Sequence, residues 1–136
     1  MAKVKMTWRG QALMVRVRTE ARAGAERAAR LLIDEAIKLI KDTPKTGRIY
    51  GTHQASAPGE PPANLSGHLI NSFRTQITQT GTVTSVSITN TAKYAGYLEF
   101  GTRKMAPRPF MRPAYVNTKE KMIAEITKAF QKAVRG

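Results

Sequence analysis

"FRTQITQTGTVTSVSIT", Phe73 to Thr89, decides the fold. Phe73, Thr75, Ile77 and Gln79 alternate on one arm, and Val86 and Ile88 alternate on the other. Alternation with a period of two marks a strand that turns one face to a core. Thr80–Gly81 supplies a turn between the arms, so the stretch reads as a β-hairpin. Threonine and serine fill the remaining positions. The hairpin is therefore expected to be half exposed, with an edge open to another chain.

Helical patterns stand on both sides of it. From Thr19 to Asp42, Ala21, Ala25, Ala28, Leu32, Ala36, Leu39 and Ile40 step by three and four and make one apolar stripe. Arg22, Glu26, Arg30 and Asp34 alternate in sign on the opposite face, a pattern worth a few tenths of a kcal/mol per pair. The stripe is rich in alanine, so a neighbouring element can approach closely. Pro44 ends the helix. Upstream, Gly10, Val15 and Val17 leave "WRGQALMVRVR" open between helix and strand. Beyond the hairpin, a short helix is expected through "AKYAGYLEF", capped by Asn90 or Thr91 and closed at Gly101. A last helix begins at Asn117, with Glu120 completing a capping box and Met122, Ile126, Ala129, Phe130 and Ala133 as its stripe. The expected class is α+β. A long N-terminal and a C-terminal helix pack on a small antiparallel sheet, in a single domain spanning 1–136.

Two segments carry proline instead of periodicity. Residues 43–63 lie in a stretch with four prolines and four glycines, read as a long stiffened loop. A short helix is expected after it, from Asn64 or Ser66 to Phe73. Residues 101–114 form the second segment. Pro107, Pro109 and Pro113 fix φ and push Ala106, Arg108 and Arg112 toward extended backbone. Phe110 is expected to anchor this arm to the domain, which leaves Arg108 and Arg112 able to point outward from a backbone that loses little entropy on binding; the other reading is a rigid return strand into the core, with its arginines snorkelling.

Charge is the strongest signal in the composition. Lysine and arginine number 23 against 9 acids, a formal net charge of +14. The basic N-terminal segment, 1–18, opens a run of eight cations that ends at Arg30. Between Pro61 and Lys119 the one acid is Glu99. Such a balance predicts attraction to a polyanion or to an acidic protein surface. No apolar run reaches the roughly 20 residues of a membrane span, and the first residues lack the apolar stretch of a signal peptide. With no cysteine there is no disulfide, thiol nucleophile or cysteine-bound zinc. An intracellular product with no membrane partner is expected.

Chemistry-bearing constellations are sparse. Glu99 sits among Arg103, Lys104, Arg108 and Arg112 and reads as a structural ion-pair partner, with no second carboxylate close in sequence to share acid–base work. His53 and His68 have Glu60 alone as a nearby acid. No glycine-rich phosphate loop is present. The expectation is a protein that is not an enzyme and that has no catalytic residues, cofactor or metal.

"HQASAPGEPPANLSGHLINSF" (His53–Phe73) and "YAGYLEFGTRKMAPRPFMRPA" (Tyr94–Ala114) together resemble the tail-completion family of long-tailed bacteriophages, the neck or head–tail joining proteins. The first is similar to the family's Ser-Ala-Pro-Gly-Glu-Pro-Pro run followed by Thr-Gly-x-Leu, with Ser66 in place of the threonine. The second is similar to its Tyr-Ala-x-Tyr-x-Glu-x-Gly-Thr, then Arg-Pro-Phe and Pro-Ala. The stretches cover about 40 residues. The basic N-terminal segment is outside the resemblance.

The resemblance implies a non-enzymatic virion component that forms a ring, a hexamer to match tail symmetry. The ring would complete the tail end and join it to the head connector around the DNA channel. Implied partners are further copies of itself, a head-side connector or stopper protein, a tail tube or tail terminator protein, and passing DNA met without sequence preference. Assembly would take place in the bacterial host cytoplasm. Ring subunits reach their neighbours with arms and exposed edges. The interface candidates are accordingly Pro58, Glu60, Pro61 and Pro62 in the loop, and Arg103, Lys104, Arg108, Phe110 and Arg112 in the arm. The alternative reading is a free basic nucleic-acid-binding protein, which would interleave aromatic and basic residues on one face.

Overall fold

A computed structural model of the chain describes residues 10–63 and 67–135, with side chains from Leu13 onward. The architecture is α+β. In chain order it runs α1 (Gly10–Asp42), β1 (Ile49–Tyr50), β2 (His53–Gln54), β3 (Phe73–Thr80), β4 (Val83–Asn90), α2 (Ala95–Phe100) and α3 (Met111–Arg135). The ambiguous upstream stretch is helical back to Gly10, which gives α1 33 residues and a length of about 50 Å. Residues 1–9 of the basic N-terminal segment lie outside the described residues.

α1 and α3 form an antiparallel pair. Contacts between them run in opposite order along the two helices. Arg16 Nε donates to the Ala133 carbonyl, Lys132 pairs with Glu20, Arg27 with Glu125, and Asn117 Nδ2 donates to Glu35. The alanine stripe behaves as expected. Ala25, Ala28, Ala29 and Ala36 of α1 are buried, as are Ala129 and Ala133 of α3. Small residues let the backbones close in. At Gly24 a Cβ would lie 2.7 Å from the Cβ of Ala129. So narrow a seam splits the apolar stripe expected on α3. Ala129 and Ala133 lie inside it, whereas the larger Ile126 and Phe130 remain exposed beside it.

β3 and β4 pair antiparallel with Phe73 opposite Asn90 and Thr80 opposite Val83. The turn is therefore Gly81–Thr82, one residue later than the sequence suggests. Gly81, at φ +58, takes the first central position, where a tight hairpin needs positive φ. Gln79 Nε2 donates to the Arg18 carbonyl at 2.6 Å, which ties the hairpin to α1. The main core gathers toward the C-terminal end of α1. There Leu32, Ala36 and Ile40 meet Leu69, Ala92, Ala95, Phe110 and Ala114.

Three expected boundaries change. The helix expected from Asn64 or Ser66 to Phe73 is a single turn over 67–71, followed by β3. Gly67, at φ +76, has the wrong hand to continue a right-handed helix. The proposed caps Asn64 and Ser66 lie outside the described residues. α2 starts at Ala95, and neither expected cap bonds its N–H groups. Asn90 Oδ1 accepts the N–H of Ala92, ahead of the helix, while its Nδ2 donates to the Leu69 carbonyl, and the hydroxyl and backbone N–H of Thr91 both donate to the Ser72 carbonyl. α3 begins at Met111 instead of Asn117. Pro113 falls in its first turn, where a backbone N–H has no intrahelical partner to lose. Arg112 is thus helical, and the extended arm ends at Phe110.

Candidate functional site

The two proline segments form one clasp on the domain, built outward from α2. Glu99 occupies the last turn of this helix and its carboxylate accepts three backbone N–H groups: Phe110 and Met111 on Oε2 at 2.9 and 3.0 Å, and Arg112 on Oε1 at 2.9 Å. These are orphan donors at the start of α3, so Glu99 acts as a helix cap supplied from another element. The expected ion pair is replaced by this role. No salt bridge joins Glu99 to Arg103, Lys104, Arg108 or Arg112. The backbone N–H of Arg108 also donates to the Leu98 carbonyl at 2.6 Å. α2 therefore holds the arm at two points.

Between those elements the chain must turn sharply. Gly101 has φ +77 and ψ 177, a conformation open essentially to glycine. A Cβ there would also meet the Met105 carbonyl oxygen at 2.8 Å and Pro107 Cδ at 2.9 Å. Next, the Thr102 hydroxyl accepts the backbone N–H groups of Lys104 and Met105. This tight turn holds Arg103 and Lys104 at an exposed tip.

The arm in turn holds the loop. Gly59 N–H donates to the Pro107 carbonyl at 2.9 Å, and Arg108 Nε donates to the Ser56 carbonyl at 3.1 Å. Arg108 Nη1 turns back to the Ala106 carbonyl. The guanidinium expected to point outward is thus half-buried and spent on its own chain. Phe110 is buried, with 1% of its surface exposed, and meets Phe73 edge to face at 6.0 Å between ring centres. Arg112 is exposed.

Within the loop, Glu60 is the organiser. Its carboxylate accepts the Thr46 hydroxyl, the Thr46 N–H at 3.0 Å and the Ala57 N–H at 2.8 Å. These bonds, the Thr46 hydroxyl first, hold its carboxyl below the usual glutamate range. Lys45 donates to the Leu39 carbonyl, and burial lowers the pKa of its ammonium against the opposing pull of Glu60. A small hairpin, β1 and β2, closes inside the loop at Gly51, where φ is +61. Pro62 is buried, Pro61 half-buried and Pro58 exposed.

The sequence pointed to both segments but not to their contact. Ser56, whose carbonyl accepts from Arg108, and Thr46, which donates to Glu60, carry no local signal, because each partner is remote in sequence. Both carboxylates of the clasp are engaged by the chain's own donors. Among the described residues, no group of three histidines and acids is placed to hold a metal ion. No helix among them is long and apolar enough to cross a membrane. No protein-family model, curated protein or solved structure matches the chain.

Proposed function

We propose that this chain is a non-enzymatic structural subunit of a bacteriophage neck, forming a ring that completes the tail end and joins it to the head connector around the DNA channel. One observation carries the reading. The two stretches that resemble the tail-completion family are distant in sequence yet bonded to each other, through Gly59 to Pro107 and Ser56 to Arg108. A clasp of this kind gives a subunit a stiff, pre-organised projection that loses little entropy when a neighbour docks. Among its interface candidates, Pro58, Arg103, Lys104 and Arg112 are exposed. Its buried parts, Phe110 and Pro62, set the posture. The open hairpin edge gives a neighbour a second place to attach.

Negative-stain imaging tests the reading, on the purified protein and on particles that carry it. Rings, or density for this chain on the tail axis at the head junction, are the expected result. Density for it elsewhere in an assembled particle would sink the proposal.

A further inference from the structure

An apolar groove of about 730 Å³ opens beside the clasp. Leu32 and Phe110 of the core contribute to its lining, together with Val86 and Ile88 of β4 and Tyr115 and Met122 of α3. Phe100 also lines it while leaving 81% of its own surface exposed, the largest exposure among the large apolar side chains described. So big an aromatic left in water next to a groove marks a place where another chain sits.

Charge says what kind of chain. Arg112 lines the same groove. Lys119 lies one turn along α3 from Tyr115, and Arg103 and Lys104 follow Phe100 within four residues. The acid in the lining is Glu99, whose two oxygens are taken by the N–H groups of Phe110, Met111 and Arg112. The groove is thus apolar inside, with Arg112 as the cation in its lining. A second copy of this chain answers such a lining poorly. It has 9 acids against 23 cations, and Glu20, Glu26, Glu60, Glu99 and Glu125 are already engaged.

We infer that this groove receives an acidic segment of a different protein, one that inserts large apolar side chains beside Phe100 and sets its carboxylates against Arg112. The inference goes beyond the neck reading and does not depend on it.

Three short synthetic peptides test it on the isolated full-length chain by fluorescence anisotropy. One alternates aspartate and glutamate with phenylalanine, leucine and isoleucine. The second replaces its acids by lysine. The third keeps the acids and replaces the apolar residues by serine. The first should bind at least about tenfold more tightly than either other. Phe100→Ser should cost it roughly tenfold or more, as for a central aromatic anchor, and Arg112→Glu should shift preference toward the lysine peptide. Val134→Ser, at an exposed site on the far end of α3, should change nothing. Phe100→Ser leaves a surface position, so its melting temperature should equal that of the wild type. Equal binding of the serine peptide, or unchanged binding by Phe100→Ser, overturns the inference. Self-association of the chain that Phe100→Ser abolishes overturns it too, by making the occupant a second copy. Because the titrations use the isolated chain, their failure leaves the neck reading standing, and that reading falls only to particle imaging.

Discussion

Two side chains at the residue scale show how the clasp is set. Phe110 is buried in the main core against Phe73, and the arm can lie flat only while that ring is seated. Phe110→Ala should destabilise the domain by roughly 3–5 kcal/mol, the usual cost of emptying a phenylalanine site. An unchanged midpoint in chemical denaturation would contradict this. Glu60 governs the loop through pH. Its folded pKa lies below the ordinary value of about 4.5, so the bonds to Thr46 and Ala57 stabilise the folded loop fully above that value. Their contribution fades as pH falls below 4.5 and through the depressed folded pKa. Amide exchange at Thr46 and Ala57 should therefore accelerate, relative to the intrinsic rate, in that acid window. In Glu60→Gln the same amides should be less protected at neutral pH and show no such acid step.

At the scale of elements, what was legible in the sequence follows from the range of the forces involved. The β3–β4 hairpin and α1 from Thr19 to Asp42 are written in local periodicity and appear close to where it puts them, whereas the first nine residues of α1, 10–18, carry no clear period. The β1–β2 hairpin is not legible, because two-residue strands have no period to read. The start of α3 depends on Glu99, twelve residues before Met111, and no local cap signals it. The inward turn of Arg108 depends on Ser56, which lies 52 residues away. The candidate segments were thus visible as composition, whereas their contact rests on long-range hydrogen bonds. The α1–α3 seam supplies a sharper test. Alanine at position 24 gains about 0.8–1.0 kcal/mol of helix propensity over glycine. Against this, its Cβ would press on Ala129 at 2.7 Å, and neither helix backbone can give cheaply. Overpacking of a tight core costs typically 1–3 kcal/mol, so Gly24→Ala should be net destabilising in urea. Adding Ala129→Gly should restore part of the loss, a coupling that a double-mutant cycle reads directly. A stabilised Gly24→Ala would mean that the helices separate freely.

The whole molecule is dominated by its charge of +14, and the structure narrows where that charge is available. Arg22, Arg27, Lys128 and Lys132 face carboxylates of their own chain, and Arg108 is folded onto Ser56. In the arm and the first turn of α3 the exposed cations are Arg103, Lys104 and Arg112. An Arg108 variant would disturb the posture of the arm along with its charge. The informative substitution is therefore the triple Arg103→Ala/Lys104→Ala/Arg112→Ala, which should leave the melting temperature unchanged. If the chain is a joining ring, these charges meet protein neighbours. The triple variant should then block joining, so that DNA-filled heads and finished tails accumulate separately, while weak duplex binding changes little. If the chain is instead a free nucleic-acid binder, duplex affinity should be tight and its logarithm should fall with log salt by about 0.9 per phosphate contacted. Removing three contacts should then flatten that slope by roughly 2.7. Micromolar or tighter duplex binding at physiological salt, together with normal particle assembly by the triple variant, would make nucleic acid the partner of this surface and displace the ring.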